Sequence, residues 1–359
     1  MRLIALLCCA LVGVGAGQTA PGPRSQTRPG PGTRATAPVV SEVLATQVAL
    51  DRAGFSPGEI DGRAGKNLQR ALAAFQQSRQ LPATGELDDA TWQQLTAAGG
   101  DVPPLIDYTV TDADIAGPFT PDIPVNLPDQ AALDALKYRS PLEALGERFH
   151  SSPALLQRLN PQAKFQQAGE QVRVPNVATA PTPPPASPAP TATSGRGAAP
   201  ASTGSSGRSA ASARSGRSAS PAPDITVYVT KSTSALTIED ASGKILMHAP
   251  VTSGSTRDPL PIGTWKVTGV QRDPKFHYNP ELFWDATPGD PKATLQPGPN
   301  NPVGIAWIDL SKPHYGIHGT PEPSKIGHVE SHGCVRLTNW DADRVSQLVK
   351  PGTRVVFRE

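Results

Sequence analysis

The sequence predicts a multidomain protein with a small three-helix domain, a short helix-and-strand module and, at its C-terminus, a β-rich domain. Apolar residues recur at helical spacing in the first part and alternate in the last. The three compact segments occupy 41–99, 138–177 and 224–359. Residues 21–40 and 178–223 consist largely of Pro, Gly, Ala, Ser and Thr, so we expect both to be disordered and the second to be a flexible linker.

Residues 41–99 are predicted to form helices around a turn. Ser41 can cap a first helix that ends at Gly54, Asp61-Gly62 is a turn signal, and Asp88 can cap a last helix. Apolar side chains repeat every three or four residues within these limits, which indicates a shared core. They are Val43, Leu44, Val48, Leu68, Leu72, Phe75, Trp92 and Leu95.

Four motifs in this segment resemble the small helical peptidoglycan-binding domain of cell-wall hydrolases. Leu68 departs from the pattern, since a threonine is usual there. The resemblance implies an anchor to the cell wall; an unrelated three-helix domain is the alternative. The motifs are Gly58-x-Ile60-Asp61-Gly62-x-x-Gly65, Ala71-x-x-x-Phe75-Gln76, Leu81-Pro82-x-Thr84-Gly85 and Thr91-Trp92-x-x-Leu95.

Residues 138–177 resemble a LysM glycan-binding module. Leucines and Phe149 lie on two helical faces, Asn160-Pro161 follows them, and Val172 to Pro175 can form a closing strand. Arg139-Ser140-Pro141 replaces the Gly-Asp that normally opens the first helix. Both a working glycan binder and a degenerate spacer stay open, because a fold does not carry a function by itself.

Residues 224–359 alternate as strands do, beginning with Ile225, Val227 and Val229. The Pro- and Gly-rich stretch 273–302 is long enough to be a functional flap. Thr338 and Asp341 form a capping-box pattern at the start of the one clear helix in this segment.

The first twenty residues have the layout of a secretory signal peptide. Arg2 precedes an apolar run from Leu3 to Val14, and small residues follow. No later stretch approaches the roughly 18 apolar residues that a membrane span needs. We therefore expect residues 1–20 to be removed on export and no transmembrane span to remain.

Cysteine usage points to one reactive side chain. Cys8 and Cys9 lie in the predicted signal peptide, so Cys334 is the single cysteine of the exported protein. Disulfides are usual in an oxidising compartment, and an unpaired thiol there is a candidate nucleophile. Cys334 lies in a Gly-containing turn before a helix start, where Gly333 and free backbone N–H groups could stabilise a thiolate and an oxyanion. We expect its pKa to lie below the roughly 8.5 of a free cysteine.

A nucleophilic thiol needs a nearby base. His318 lies on an alternating strand that could neighbour Cys334, so we assign it as the base, and His332 as support for the turn or the substrate. We assign Arg336 and Ser331, together with His332, to substrate binding. Arg336 suits a substrate carboxylate, and a structural ion pair of Arg336 is the alternative.

Zinc binding is the competing chemistry for this segment. His318, His328, His332 and Cys334 could supply ligands, but no Cys-x-x-Cys or His-Glu-x-x-His pattern is present. The sequence therefore favours a thiol nucleophile over a zinc site in this segment.

Charge excludes one class of partner. The formal net charge of +2 includes four arginines within residues 1–40 and four within the linker, neither of which contains an acid, so the rest of the chain is acidic. A nucleic-acid-binding face is therefore not predicted.

Gly316-Ile317-His318-Gly319-Thr320, followed by Ser331-His332-Gly333-Cys334-Val335-Arg336-Leu337, resembles the signature of the L,D-transpeptidases, the YkuD or ErfK family. Three further motifs extend the resemblance over 224–359: Pro261-Ile262-Gly263-x-Trp265, Gly298-Pro299-Asn300-Asn301-Pro302-x-Gly304 and Asn339-x-Asp341-Ala342.

The resemblance implies a cysteine acyltransferase that acts on peptidoglycan in the periplasm or cell wall and needs no metal or organic cofactor. Cys334 would attack the third residue of a stem tetrapeptide, D-alanine would leave, and an amine of a second stem would accept the acyl group, giving a 3→3 cross-link. His318 would be the base, oriented by the backbone carbonyl of Gly319, and a carbapenem would add covalently to Cys334. A hydrolase of the same fold, cutting stem peptides or protein-to-wall bonds, and a non-enzymatic wall-binding scaffold are the alternatives.

Overall fold

The computed structural model describes residues 40–100, 102–177, 224–284, 286–329, 331 and 333–359. The predicted signal peptide, nearly all of the segment 21–40, the linker 178–223 and His332 lie outside the described residues.

Three helices form the first segment, as the sequence predicts: α1 (Glu42–Ala53), α2 (Lys66–Ser78) and α3 (Asp89–Gly99). The Ser41 hydroxyl accepts the Leu44 N–H at 3.2 Å, and Gly54 ends α1 with a φ of +90°, a left-handed conformation that favours glycine. Asp88 caps α3 in the same way. The core of this segment comprises Leu50, Phe55, Leu68, Ala71, Leu72, Phe75 and Leu95.

The second segment is built around a two-stranded antiparallel sheet. Strand β1 (Leu105–Thr109) pairs with β2 (Gln171–Pro175), so the strand partner lies before the range 138–177 marked by the sequence motifs. Between these strands lie four helices: α4 (Asp112–Ile115), α5 (Leu127–Gln130), α6 (Pro141–Arg148) and α7 (Pro153–Leu159).

The third segment is β-rich, as predicted, and contains a nine-stranded sheet. Its first half comprises β3 (Ile225–Thr230), β4 (Ala235–Asp240), β5 (Ile245–Pro250), β6 (Thr252–Ser253) and β7 (Gly263–Arg272). Its second half comprises β10 (Ala306–Leu310), β11 (Gly316–His318), β12 (Val335–Arg336) and β13 (Arg354–Arg358). The strands are arranged in the order β5-β4-β3-β13-β7-β10-β11-β12-β6. Two pairs of neighbours, β3 with β13 and β11 with β12, are parallel.

One helix, α8 (Asn339–Leu348), packs on this sheet through Ala342 and Val345, both fully buried in its core. The Thr338 hydroxyl caps it by accepting the Asp341 N–H at 3.2 Å, which confirms the predicted helix start. The predicted flap contains a hairpin of β8 (Phe276–Tyr278) and β9 (Ala293–Leu295), and Leu136 of the second segment forms a buried cluster with Tyr278 and Leu295.

The three segments contact one another directly, whereas the sequence predicts separate compact segments, the last of them attached through a flexible linker. Ser56 donates to the Asp341 carboxylate at 2.8 Å, and the Asn67 amide donates to the Ile326 carbonyl at 2.8 Å. Phe55 also forms a β-bridge with His248 at the sheet edge. Because these contacts join residues more than 190 positions apart, the residues that the structure describes between 40 and 359 form one compact unit. In the described part of the chain, no helix is long and apolar enough to cross a membrane.

A buried histidine lies where the first segment contacts the sheet, and its burial makes the stability of the protein depend on pH. His248 of β5 is 2% exposed, and neither ring nitrogen has a hydrogen-bond partner among the described residues. Burial, with a smaller effect of Arg70, lowers its pKa from 6.5 to about 4. Since the unfolded chain binds this proton at a higher pH than the folded chain, the stability due to neutral His248 is lost as pH falls from 6.5 to about 4.

We therefore expect His248→Gln to gain stability relative to the wild-type protein on acidification. The melting temperature of the variant minus that of wild type should rise by roughly 5 °C between neutral and mildly acidic buffer. Differential scanning calorimetry measures it, and a difference that does not vary with pH would contradict the assignment.

Candidate active site

Two parallel strands bring His318 and Cys334 to the same part of the sheet. In the register of β11 and β12, Ile317 pairs with Val335 and His318 with Arg336. The Leu337 N–H donates to the His318 carbonyl at 2.8 Å, which extends the pairing by one residue. Cys334 lies immediately before β12, so it is held at the strand start beside β11.

His318 is buried, and its surroundings fix which nitrogen carries the proton. Its Nδ1 lies 2.7 Å from the Gly319 carbonyl oxygen, and because a carbonyl can only accept, Nδ1 is the protonated nitrogen and Nε2 is the free base. The Trp307 indole stacks on the ring at 5.2 Å between centroids. Burial, and then the charge of Arg336, lower the pKa of His318 to about 3, so the imidazole is neutral at physiological pH.

Cys334 is partly buried, and its Sγ lies 3.8 Å from the His314 carbonyl oxygen. Burial raises the pKa of the thiol above its ordinary value of 9.0, and a backbone hydrogen bond from Gly316 and the charge of Arg336 offset only part of this effect. The expectation of a lowered pKa is therefore wrong. Desolvation outweighs the donors of the turn, so the resting site contains a neutral thiol beside a neutral imidazole.

The turn before Cys334 is held by Gly333 and Ser331. Gly333 has a φ of +104°, and a Cβ there would lie 2.8 Å from the Tyr315 ring. The buried Ser331 hydroxyl donates to the Cys334 carbonyl at 2.7 Å and accepts the Gly254 N–H at 2.7 Å. Ser331 thus joins the nucleophile turn to the loop after β6, while His332 between them is outside the described residues.

Three contributors to the site were not identified from sequence. Trp307 covers His318 from β10, Tyr315 packs against Gly333, and Asn339 lies against the backbone of Gly319. Asn339 belongs to one of the family motifs, which is the only sequence signal for it; Trp307 faces His318 through the pairing of β10 with β11, which the sequence does not specify. Among the described residues, no group of three His, Cys, Asp or Glu side chains is arranged to hold a metal ion.

Comparison with known proteins identifies two of the segments. A family model described as "L,D-transpeptidase catalytic domain" (YkuD) matches residues 224–357, and one described as "Putative peptidoglycan binding domain" matches residues 40–95.

Curated relatives carry related names. "Putative L,D-transpeptidase YkuD" of Bacillus licheniformis is 52% identical over 60 residues, which cover 17% of this chain and 36% of the relative. "Putative L,D-transpeptidase YqjB" of Bacillus subtilis is 29% identical over 142 residues, 38% of this chain and 72% of the relative. The chain spans little more than a third of the length of the two YkuD relatives it matches.

Among solved structures, an L,D-transpeptidase from Mycobacterium smegmatis overlays with a TM-score of 0.32 at 17% identity, covering 38% of this chain and 59% of the other. L,D-transpeptidase 3 from Mycobacterium tuberculosis, in complex with a faropenem-derived adduct, gives 0.32 at 18% identity, covering 38% and 61%. These scores are low, so the assignment depends on the sequence matches. The resemblance of 138–177 to a LysM module stays a prediction. Residues 224–357 thus match the YkuD family of L,D-transpeptidase catalytic domains, and residues 40–95 match a family of peptidoglycan-binding domains.

Proposed function

We propose that the protein is a cysteine acyltransferase that forms 3→3 cross-links between peptidoglycan stem peptides. Cys334 is the nucleophile and His318 the general base. The observation that carries this proposal is the hydrogen bond from His318 Nδ1 to the Gly319 carbonyl, because it leaves Nε2 unprotonated on the strand beside Cys334. A histidine held in this tautomer is what a thiol nucleophile requires.

Because the Cys334 thiol and the His318 imidazole are both neutral at rest, the thiol proton is transferred during the attack on the substrate. As Cys334 Sγ bonds to the carbonyl carbon of the third stem residue, its proton passes to Nε2 of His318, and the imidazolium keeps its Nδ1–H bond to Gly319. The proton then goes to the departing amine of D-alanine as the C–N bond breaks, which leaves a thioester on Cys334. An acceptor amine attacks the thioester, the new amide forms, and the thiol regains a proton.

Backbone groups of the turn would stabilise the oxyanion. The left-handed conformation of Gly333 shapes this turn, and the Ser331 hydroxyl fixes it by binding the Cys334 carbonyl, so that the carbonyl is kept away from the developing negative charge. Arg336, which pairs in register with His318, supplies a positive charge that suits the substrate carboxylate. We propose that Ser331 contributes through the turn, and that His332 supports the turn or the substrate.

Wall attachment is the second part of the proposal. The match of residues 40–95 to a peptidoglycan-binding domain supports binding of glycan strands or stem peptides, and the LysM-like segment would add a glycan contact. An immobile polymer is a substrate for which anchoring raises the effective concentration of the enzyme. Export by the predicted signal peptide to the periplasm or cell wall would bring the enzyme to this polymer.

Product analysis tests the reaction. The purified protein is incubated with tetrapeptide muropeptides, and mass spectrometry identifies the products by their masses. We expect dimers whose mass is that of two monomers less one D-alanine. Tripeptide monomers without any dimer would mean that water is the acceptor. The protein would then be a hydrolase of the same fold and not a transferase.

The resting pair of neutral groups predicts an unusual pH dependence. Acylation of Cys334 by a carbapenem should proceed at a nearly constant rate from about pH 5 to about pH 8, because His318 is protonated only near its pKa of about 3. The raised pKa of Cys334 places thiolate formation above this range. Stopped-flow measurement of β-lactam ring opening gives the profile, and a tenfold fall between pH 7.5 and pH 5.5 would show that His318 titrates near the ordinary value of 6.5.

A further inference from the structure

Asn339 is a buried amide whose hydrogen-bonding groups all contact protein. It opens α8 and has no exposed surface. Its Oδ1 accepts the Ile305 N–H at 3.3 Å, and its Nδ2 donates to the Pro299 carbonyl at 3.1 Å and to Glu147 Oε1 at 3.3 Å. A buried amide with this set of partners has one allowed orientation.

Two glycines let the backbone approach this amide. A Cβ on Gly319 would lie 2.3 Å from Asn339 Oδ1, and a Cβ on Gly304 would lie 2.0 Å from the same atom. On its other side, Gly319 donates its N–H to the Ala306 carbonyl at 3.2 Å. Gly319 is therefore held between strand β10 and the Asn339 side chain, and its carbonyl is the acceptor of the His318 Nδ1–H.

Glu147 brings the second segment into this arrangement. It lies on α6, far from the YkuD domain in sequence, and contacts Asn339 across the interface. Burial, with a smaller effect of Glu143, raises its pKa to about 8. Because a protonated carboxyl retains a carbonyl oxygen, Glu147 can accept from the Asn339 amide at neutral pH.

We propose that Glu147 and Asn339 are positioning residues: Asn339 holds the Gly319 carbonyl against His318, and Glu147 fixes Asn339. Helix α6 then positions a catalytic residue as well as forming part of the LysM-like segment. The proposal rests on the proposed role of His318 as base, and it adds that the YkuD domain takes one of its orienting contacts from a different segment of the chain.

A matched pair of variants on one helix tests it. Glu147 contacts Asn339, whereas Glu143, one turn earlier on α6, contacts the Asn300 amide at 3.3 Å and Arg139. In the full chain, Glu147→Ala should slow acylation of Cys334 by a carbapenem about tenfold, the scale of a small loss of alignment. Glu147→Gln keeps an acceptor oxygen and should stay within about twofold of wild type, as should Glu143→Ala.

The tautomer of the His318 imidazole is a second measurement, and a loss of stability alone does not change it. With ¹⁵N-labelled histidine, the wild-type protein should show Nδ1 protonated and Nε2 bare. Glu147→Ala should populate the other tautomer measurably, and Glu143→Ala should not, even if both lower the melting temperature. Wild-type tautomer and rate in Glu147→Ala, or equal effects of the two variants, would overturn the proposal.

A double-mutant cycle tests the contact with Gly319. Gly319→Ala should slow acylation on the order of 10²-fold, because the new methyl group displaces the backbone that binds His318. In the Asn339→Ala background the methyl group has room, so the two losses should not multiply. Losses that multiply would overturn the link. The carbapenem acylation rate and the His318 tautomer are both measured without a cell-wall substrate. A negative result for the positioning residues can therefore be distinguished from a negative result for the proposed cross-linking reaction.

Discussion

Replacing Cys334 with serine should remove cross-linked product, with a loss on the order of 10⁴-fold or more, as expected when a nucleophile is lost. A hydroxyl holds its proton far more tightly than a thiol, and His318, with a pKa of about 3, is too weak a base to remove it. The serine hydroxyl is similar in shape, so the turn and its contact with the His314 carbonyl should persist.

Mass spectrometry of muropeptides after overnight incubation measures this loss. Pull-down on insoluble wall is the control, since residues 40–95 are intact in the variant and should bind as the wild-type protein does. Dimer formation by the serine variant would show that Cys334 is not the nucleophile.

His318→Ala should slow acylation of Cys334 by a carbapenem on the order of 10²-fold or more, the usual contribution of a general base. The buried thiol has a raised pKa and little thiolate at neutral pH, so attack depends on simultaneous proton transfer to Nε2. Intact-mass spectra at timed intervals give the rate of adduct formation.

His332→Ala is the matched control, because His332 lies closer to Cys334 in sequence and could compete for the role of base. It should slow acylation much less than His318→Ala. A wild-type rate in His318→Ala together with no reaction in His332→Ala would reverse the roles of the two histidines.

Local patterns predicted the elements of the fold well. Ser41, Asp88 and Thr338 cap the helices they were expected to cap, and the alternation after residue 224 forms strands β3 and β4. The alternation around His318 also predicted a strand that could neighbour Cys334, and β11 pairs with β12, which begins directly after Cys334. Capping and alternation depend on neighbours within a few residues, which is why single-sequence reasoning detects them.

Long-range pairing accounts for what sequence reasoning missed. Strand β1 finds its partner β2 across more than sixty residues, and its five residues are too few to show a clear period. The contact of Asn339 with Glu147 joins α8 to α6, and the burial that raises the pKa of Cys334 depends on the assembled sheet. None of these has a local signature.

Trapping the acyl-enzyme shows whether Cys334 carries the acyl group during the reaction. The protein is mixed with a stem tetrapeptide whose acceptor amine has been blocked by acetylation, quenched in acid and analysed by intact mass and peptide mapping. We predict a mass increase equal to the tripeptide acyl group on the peptide that contains Cys334, absent from Cys334→Ala. A covalent adduct on any other residue, or turnover with unmodified Cys334 at every time point, would contradict the account.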